Sequence, residues 1–160
     1  MGKSNVDLFQ IIRNGELEQY YQNITNTEIN IRNEFGQSLL HEAIAYKQKE
    51  IALDLLNKLI DINIQDNSGQ TVLHFISFHD KESNVAEKII ENGGNLGIVD
   101  QYGNTPLWYA VFNARGKYDL VELFMKKGAN PALKNNAGRS PIDFATQIKD
   151  TALLNILQTK

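Results

Sequence analysis

Four phrases of the same shape recur along the 160-residue chain: Gly36-Gln-Ser-Leu-Leu-His41, Gly69-Gln-Thr-Val-Leu-His74, Gly103-Asn-Thr-Pro-Leu-Trp108 and Gly138-Arg-Ser-Pro-Ile-Asp143. Their glycines are spaced by 33, 34 and 35 residues. A period of that length marks one small supersecondary unit used again and again, and a unit so small cannot bury an apolar face by itself. Its neighbours must cover it, so the chain should stack like modules side by side rather than wrap around one globular core.

Each period carries the same signals in the same order. Ser38, Thr71, Thr105 and Ser140 place a hydroxyl where a helix should begin, ready to accept an orphan backbone N–H. Pro106 and Pro141 follow two of them at the first helical position, where a missing donor does no harm. Short apolar patterns come next: Leu39, Leu40, Ala43 and Ile44, then Val72, Leu73 and Ile76. A second helix is predicted to begin near each of Glu50, Asn84, Asp119 and Thr151, with apolar residues at i, i+4 and i+5. Gly93 and Gly128 suit the left-handed residue that closes a helix, and turns such as Asp66-Asn67-Ser68-Gly69 lead into the next unit.

These residues resemble the ankyrin repeat, whose pattern runs Asp-x-x-Gly-x-Thr-Pro-Leu-His-x-Ala, then a Gly, a Val-x-x-Leu-Leu helix and Gly-Ala-Asp. The stretch from Asp100 to Asn130 follows it most closely, with Asp100, Gly103, Thr105, Pro106, Leu107, Ala110, Gly116, Val121, Leu123, Gly128 and Ala129 in place. The resemblance implies an all-α solenoid of stacked helix-turn-helix units with β-turn fingers, about five repeats in a single domain over 1–160. The approximate units are 4–32, 33–65, 66–99, 100–134 and 135–160, the first and last being degenerate caps. Gln19, Gln22 and Asn23 at one end, and Gln147, Lys149, Asn155 and Gln158 at the other, look like the polar facing that an outermost helix needs. Departures mark local irregularity: Trp108 and Asp143 replace the usual His, Leu59 stands where Gly93 and Gly128 close their repeats, and extra residues occur around Asn113-Ala114-Arg115 and near Asp80-Lys81-Glu82.

Composition narrows the function classes. A net charge of −3 offers no positive field for a phosphate backbone, so nucleic acid is not expected as a partner. The chain has no cysteine, which removes thiolate metal sites and thiol nucleophiles together and fits a reducing, cytoplasmic setting. No stretch approaches the ~20 apolar residues that cross a bilayer, and no membrane association is expected.

Candidate chemistry is sparse. His41 and His74 occupy one position in successive repeats, and helices packed ~8–10 Å apart keep them too distant to share one ion. The resemblance gives this His a structural role instead, hydrogen-bonded to the turn of its own repeat. His79 beside Asp80 lies where exposed residues are expected, with no nucleophile identified nearby. Gly93-Gly94-Asn95-Leu96-Gly97 follows a helix, whereas a phosphate cradle precedes one. An enzyme is therefore not expected, nor any metal or cofactor.

What remains is a binding surface. In the ankyrin architecture the residues flanking the turn glycine, and those late in the first helix, face the groove. Carried onto this chain they give Phe35, Tyr46, Phe78, His79, Tyr102, Asn104, Phe112 and Asn113 as partner-binding residues, with Glu34, Gln37, Ser68 and Gln70 beside them and Arg13, Asn14, Arg139 and Gln147 extending the strip. Five of these are aromatic rings at positions expected to be solvated, and exposed rings are the commonest anchors of protein binding. Phe75, Trp108, Tyr109 and Phe144 are expected in the core. The chain is thus expected to be a monomeric, non-catalytic protein-binding module. Its resemblance to small stand-alone bacterial ankyrin proteins adds the expectation of an immunity protein that inhibits a toxin or effector. The alternative is a scaffold or adaptor with several weaker partners.

Overall fold

A computed structural model of the chain describes residues 7–24, 29–79 and 83–159, the side chain of residue 79 excepted. Among the described residues there are ten α-helices, all of two turns or so: α1 (Leu8–Asn14), α2 (Leu17–Asn23), α3 (Leu39–Ala45), α4 (Lys49–Leu56), α5 (Val72–His79), α6 (Ser83–Glu91), α7 (Pro106–Phe112), α8 (Asp119–Lys126), α9 (Pro141–Gln147) and α10 (Thr151–Gln158). Helices this short are marginal in isolation and persist because neighbours bury their apolar stripes. The first helices of the pairs pack in sequence, α1 on α3, α3 on α5, α5 on α7 and α7 on α9; the second helices form a parallel layer, α4 on α6, α6 on α8 and α8 on α10. At the N-terminal end, Tyr20 of α2 donates its hydroxyl to Asp54 Oδ2 of α4 at 2.6 Å. The core runs continuously between the layers through Ile12, Tyr20, Leu40, Ile44, Leu55, Leu73, Ile76, Ile89, Leu107 and Phe124.

The capping hydroxyls act as the sequence predicts. Ser38, Thr105 and Ser140 accept from the backbone N–H of His41, Trp108 and Asp143, and Pro106 and Pro141 open their helices. Between first and second helices the chain turns through a left-handed residue, Gly15 in the first pair but Lys47, Arg115 and Lys149 in others. The resemblance placed the family's glycine at Gly116. The pivot comes one residue earlier, at Arg115, because the α7 to α8 connection is longer: Ala114 folds inward and is buried, and Gly116 supplies a second left-handed step. A cation at this pivot also faces the negative end of the helix it follows. The extra residue expected near Asp80-Lys81-Glu82 lies outside the described residues. Leu59 is 96% exposed, and nothing in the structure explains that exposure.

Each finger is built by one side chain. Asn33, Asp66, Asp100 and Asn135 accept, through Oδ1, the N–H groups two and four residues ahead, at 2.9–3.1 Å. The fingers then pair: Asn67 N–H donates to Phe35 O, Gln101 N–H to Ser68 O and Asn136 N–H to Tyr102 O, each at 2.9 Å. That ladder lines up the fingertips along one edge of the helical layers, and it determines what the groove presents.

Candidate functional site: the face between the fingers and the first helices

The fingertips and the first helices together present an aromatic surface. Phe35 and Tyr102 occupy the same fingertip position two units apart and are 55% and 59% exposed. Tyr46 and Phe112, at the C-terminal ends of α3 and α7, are 50% and 53% exposed. Phe78 is less open, because its ring lies against Tyr109 of the next repeat with centroids 4.3 Å apart. Phe112 repeats that arrangement one unit on, with Phe144 at 5.2 Å.

Two expected site residues are placed otherwise. Asn104 is buried: its Oδ1 accepts from Asn135 Nδ2 at 2.8 Å and its Nδ2 donates to the Tyr109 hydroxyl at 3.2 Å. Its side chain joins one finger to the next. Asn113 is half-buried and turns its Nδ2 back onto Tyr109 O at 3.0 Å, finishing α7. The expectation for the His79 side chain lies outside the described residues.

Three expected core residues are corrected as well. Phe75 is buried, but Trp108, Tyr109 and Phe144 are only half-buried. Phe75, Tyr109 and Phe144 hold one repeat position, facing the groove just ahead of the Phe78 and Phe112 row. In the preceding unit that position belongs to Glu42, whose side chain is 3% exposed. Glu42 pairs with Arg13 of α1 through Arg13 Nε, and this hydrogen bond raises the guanidinium's pKa further. Aligning the four repeats would have exposed the oddity in the sequence: an acid stands where the other three carry rings.

The repeated histidines are structural, and they reach further than their own turn. His41 Nδ1 accepts from Ser38 N–H at 3.2 Å, which leaves the proton on Nε2, aimed at Gln70 O of the next repeat at 3.2 Å. His74 does the same with Thr71 N–H at 3.0 Å and Asn104 O at 3.1 Å. Both ring nitrogens are thus engaged, and burial holds both imidazoles neutral, His41 down to about 4 and His74 in the same direction. Asp143 keeps the capping half of the role, accepting from Ser140 N–H and Oγ, and has no donor to send forward. Among the described residues no helix is long and apolar enough to cross a membrane.

Repeated helical pairs, fingers tied by Asx side chains and histidines bridging to the next turn define a repeat protein built for contact surfaces. A family model for ankyrin repeats (3 copies) matches residues 8–98 and 40–136, and the chain belongs to the ankyrin repeat family. It is 32% identical over 114 residues to the ankyrin repeat protein OPG189 of Variola virus, covering 67% of this chain and 20% of that protein. It is also 31% identical over 129 residues to a putative ankyrin repeat protein of Rickettsia felis, covering 78% of this chain and 41% of that one. Over 136 residues it is 26% identical to the nuclear factor NF-kappa-B p105 subunit of Gallus gallus, covering 79% and 14%. The chain spans about a fifth of the length of the viral relative. None of these names carries an immunity or toxin function, so that narrower expectation gains no support from them.

Proposed function

We propose that this chain is a non-catalytic docking module that holds a protein partner on the face between its fingers and first helices. The observation that carries the reading is the row of exposed rings: Phe35, Tyr46, Tyr102 and Phe112 are each at least half exposed. Isolated apolar side chains on a surface are ordinary, but rings repeated along one edge are a patch, and such patches mark interaction sites. Aromatic anchors supply large contact area with few rotatable bonds, which is why they dominate binding energies. The polar groups beside them are amides, the Ser68 hydroxyl, the Glu34 carboxylate and two arginines, so the net charge is small, recognition is short-ranged and long-range steering is weak.

The test is affinity capture with the wild-type chain and with a Tyr102→Ala/Phe112→Ala variant whose unfolding has been checked. A partner held by wild type and lost by the variant supports the reading; a partner held equally by both removes this face as the interface. A bacterial toxin or effector enzyme would be recognised by stoichiometric loss of its activity on mixing. Several partners of comparable weak affinity would favour a scaffold instead.

A further inference from the structure

The groove is not uniform along its length. In two successive repeats a ring late in the first helix covers a ring of the following unit, Phe78 on Tyr109 and Phe112 on Phe144. The corresponding residue one repeat earlier is Ala45, beside Phe75. Where the later repeats place a phenyl group, this one leaves a depression of about 360 Å³ walled by Arg13, Phe35, Gln37, Glu42, Tyr46 and Phe75. That volume lies at the low end of the ~300–1,000 Å³ typical of ligand pockets. Phe35, Tyr46 and Phe75 supply its aromatic walls, and it lies at the repeat position that a phenyl ring holds in the two later units.

The charged groups lining the depression are one arginine and one carboxylate, and they differ in what they have left to offer a ligand. Glu42 is buried and already holds Arg13 Nε on one oxygen, so it is not available to a ligand. A cation entering here would have to displace Arg13 from a buried carboxylate and then do no more than replace it. Arg13, by contrast, is 34% exposed, with its guanidinium carbon 5.9 Å from the Tyr46 ring centroid and its two terminal nitrogens without a hydrogen bond among the described residues. Gln37 accepts from Asn33 Nδ2 through its Oε1 at 3.1 Å, and its Nε2 has no hydrogen bond among the described residues. The rim therefore offers donors, and the terminal edge of a guanidinium is the fork that fits a carboxylate. At the far end of the strip another arginine stands beside a glutamine: Arg139 Nη1 donates to Gln147 Oε1 at 3.0 Å, and its other nitrogens have no side-chain partner among the described residues. Four helix spacings of ~8–10 Å separate the two arginines' elements, a span of ~32–40 Å that about ten to twelve extended residues would cover.

We propose that the depression at Ala45 is the anchor pocket of the groove and receives an aromatic side chain of an acidic, extended partner segment, an adjacent carboxylate binding the outward edge of Arg13. This rests on the docking face proposed above and adds to it the chemistry of the occupant.

The experiment is selection of a random dodecapeptide pool on the immobilised wild-type chain, followed by anisotropy titration of the synthesised winners. The expected winners carry Phe, Tyr or Trp next to Asp or Glu. Ala45→Phe, which fills the place from within, should weaken them at least tenfold while leaving the chain folded. Arg13→Gln/Glu42→Gln, which removes the buried pair together and strands no charge, should abolish the preference for acidic over amide-substituted peptides. Arg139→Gln should reduce that preference by a fewfold. Winners that are basic or neutral, or that ignore Ala45→Phe, overturn the proposal; if Tyr102→Ala/Phe112→Ala still weakens them, the docking face itself survives. Winners untouched by every one of these variants remove the face as well. A pool that yields nothing above background also overturns the proposal.

Discussion

Nε2 of His41 lies 3.2 Å from the carbonyl oxygen of Gln70, so a side chain in one repeat satisfies the backbone of the next. The same ring takes the N–H of Ser38 on its other nitrogen, and one buried imidazole thereby ties a helix start to a neighbouring finger. His74 repeats the bridge to Asn104, and then the series stops: among the described residues the Trp108 ring makes no such bridge, and Asp143 accepts from Ser140 of its own repeat. The histidine bridge therefore joins the second unit to the third and the third to the fourth, while the junction of the fourth and fifth units relies on other contacts such as Asn135 Nδ2 to Asn104 Oδ1.

His41→Ala should cost about 2–3 kcal/mol, because it leaves the Ser38 N–H and the Gln70 carbonyl without their partner and opens a cavity. Urea unfolding of the wild type and variant measures this directly. A loss below about 1 kcal/mol would mean that water replaces the imidazole at little cost.

Acid should weaken the fold before its carboxylates protonate. His41 is held neutral in the folded chain, down to about 4, and titrates near its ordinary value when unfolded. The unfolded state therefore binds more protons between those values. The contribution is fully present above the unfolded pKa of ~6.5 and declines as pH falls toward 4, by about 2 kcal/mol between pH 7 and pH 5. His74 shifts in the same direction and adds to the decline. Stability measured at half-unit pH steps should fall through this window, and a His41→Asn/His74→Asn chain should show a flatter curve.

Gly103 and Gly138 share a left-handed backbone, φ +76° and +73°, but not a neighbour. A Cβ on Gly103 would lie 2.6 Å from Asn136 Oδ1 and 2.9 Å from the Asn136 backbone nitrogen, whereas Gly138 has open space. Gly138→Ala should cost the ~1–2 kcal/mol of left-handed strain alone, and Gly103→Ala should cost more, through disruption of the finger ladder. Equal midpoints for the two variants in thermal unfolding would contradict the ladder's contribution.

Tyr102→Ala should leave unfolding within about 0.5 kcal/mol of the wild type, since the ring is 59% exposed, yet weaken a groove-bound partner by about 2 kcal/mol. Phe112→Ala should affect both quantities, because its ring also packs on Phe144. Calorimetric titration alongside thermal unfolding separates the two effects.

The repeat period, the capping hydroxyls of Ser38, Thr105 and Ser140, and the pairing of short helices were all legible in the sequence. Each depends on residues within a few positions of one another, where backbone sterics and local hydrogen bonds decide. The exposed rings Phe35, Tyr46, Tyr102 and Phe112 were legible too, through the repeat positions they occupy. Asn104 was not: its side chain is drawn inward by Asn135, a residue 31 positions away on the next finger. Nor was the half-burial of Trp108, Tyr109 and Phe144, which is decided by which ring of a neighbouring unit lies on them.

From the sequence alone, this protein was determined to be a stack of helical hairpins, because periodic spacing and helix caps are local chemistry that survives without knowledge of any partner surface. The tertiary structure decided what the groove holds: a buried Glu42 paired with Arg13, and an open place beside Ala45 where the next repeats carry rings. Those features arise between units. A side chain's exposure there depends on the volume and donors of residues some thirty positions away, and only the packed stack brings them together.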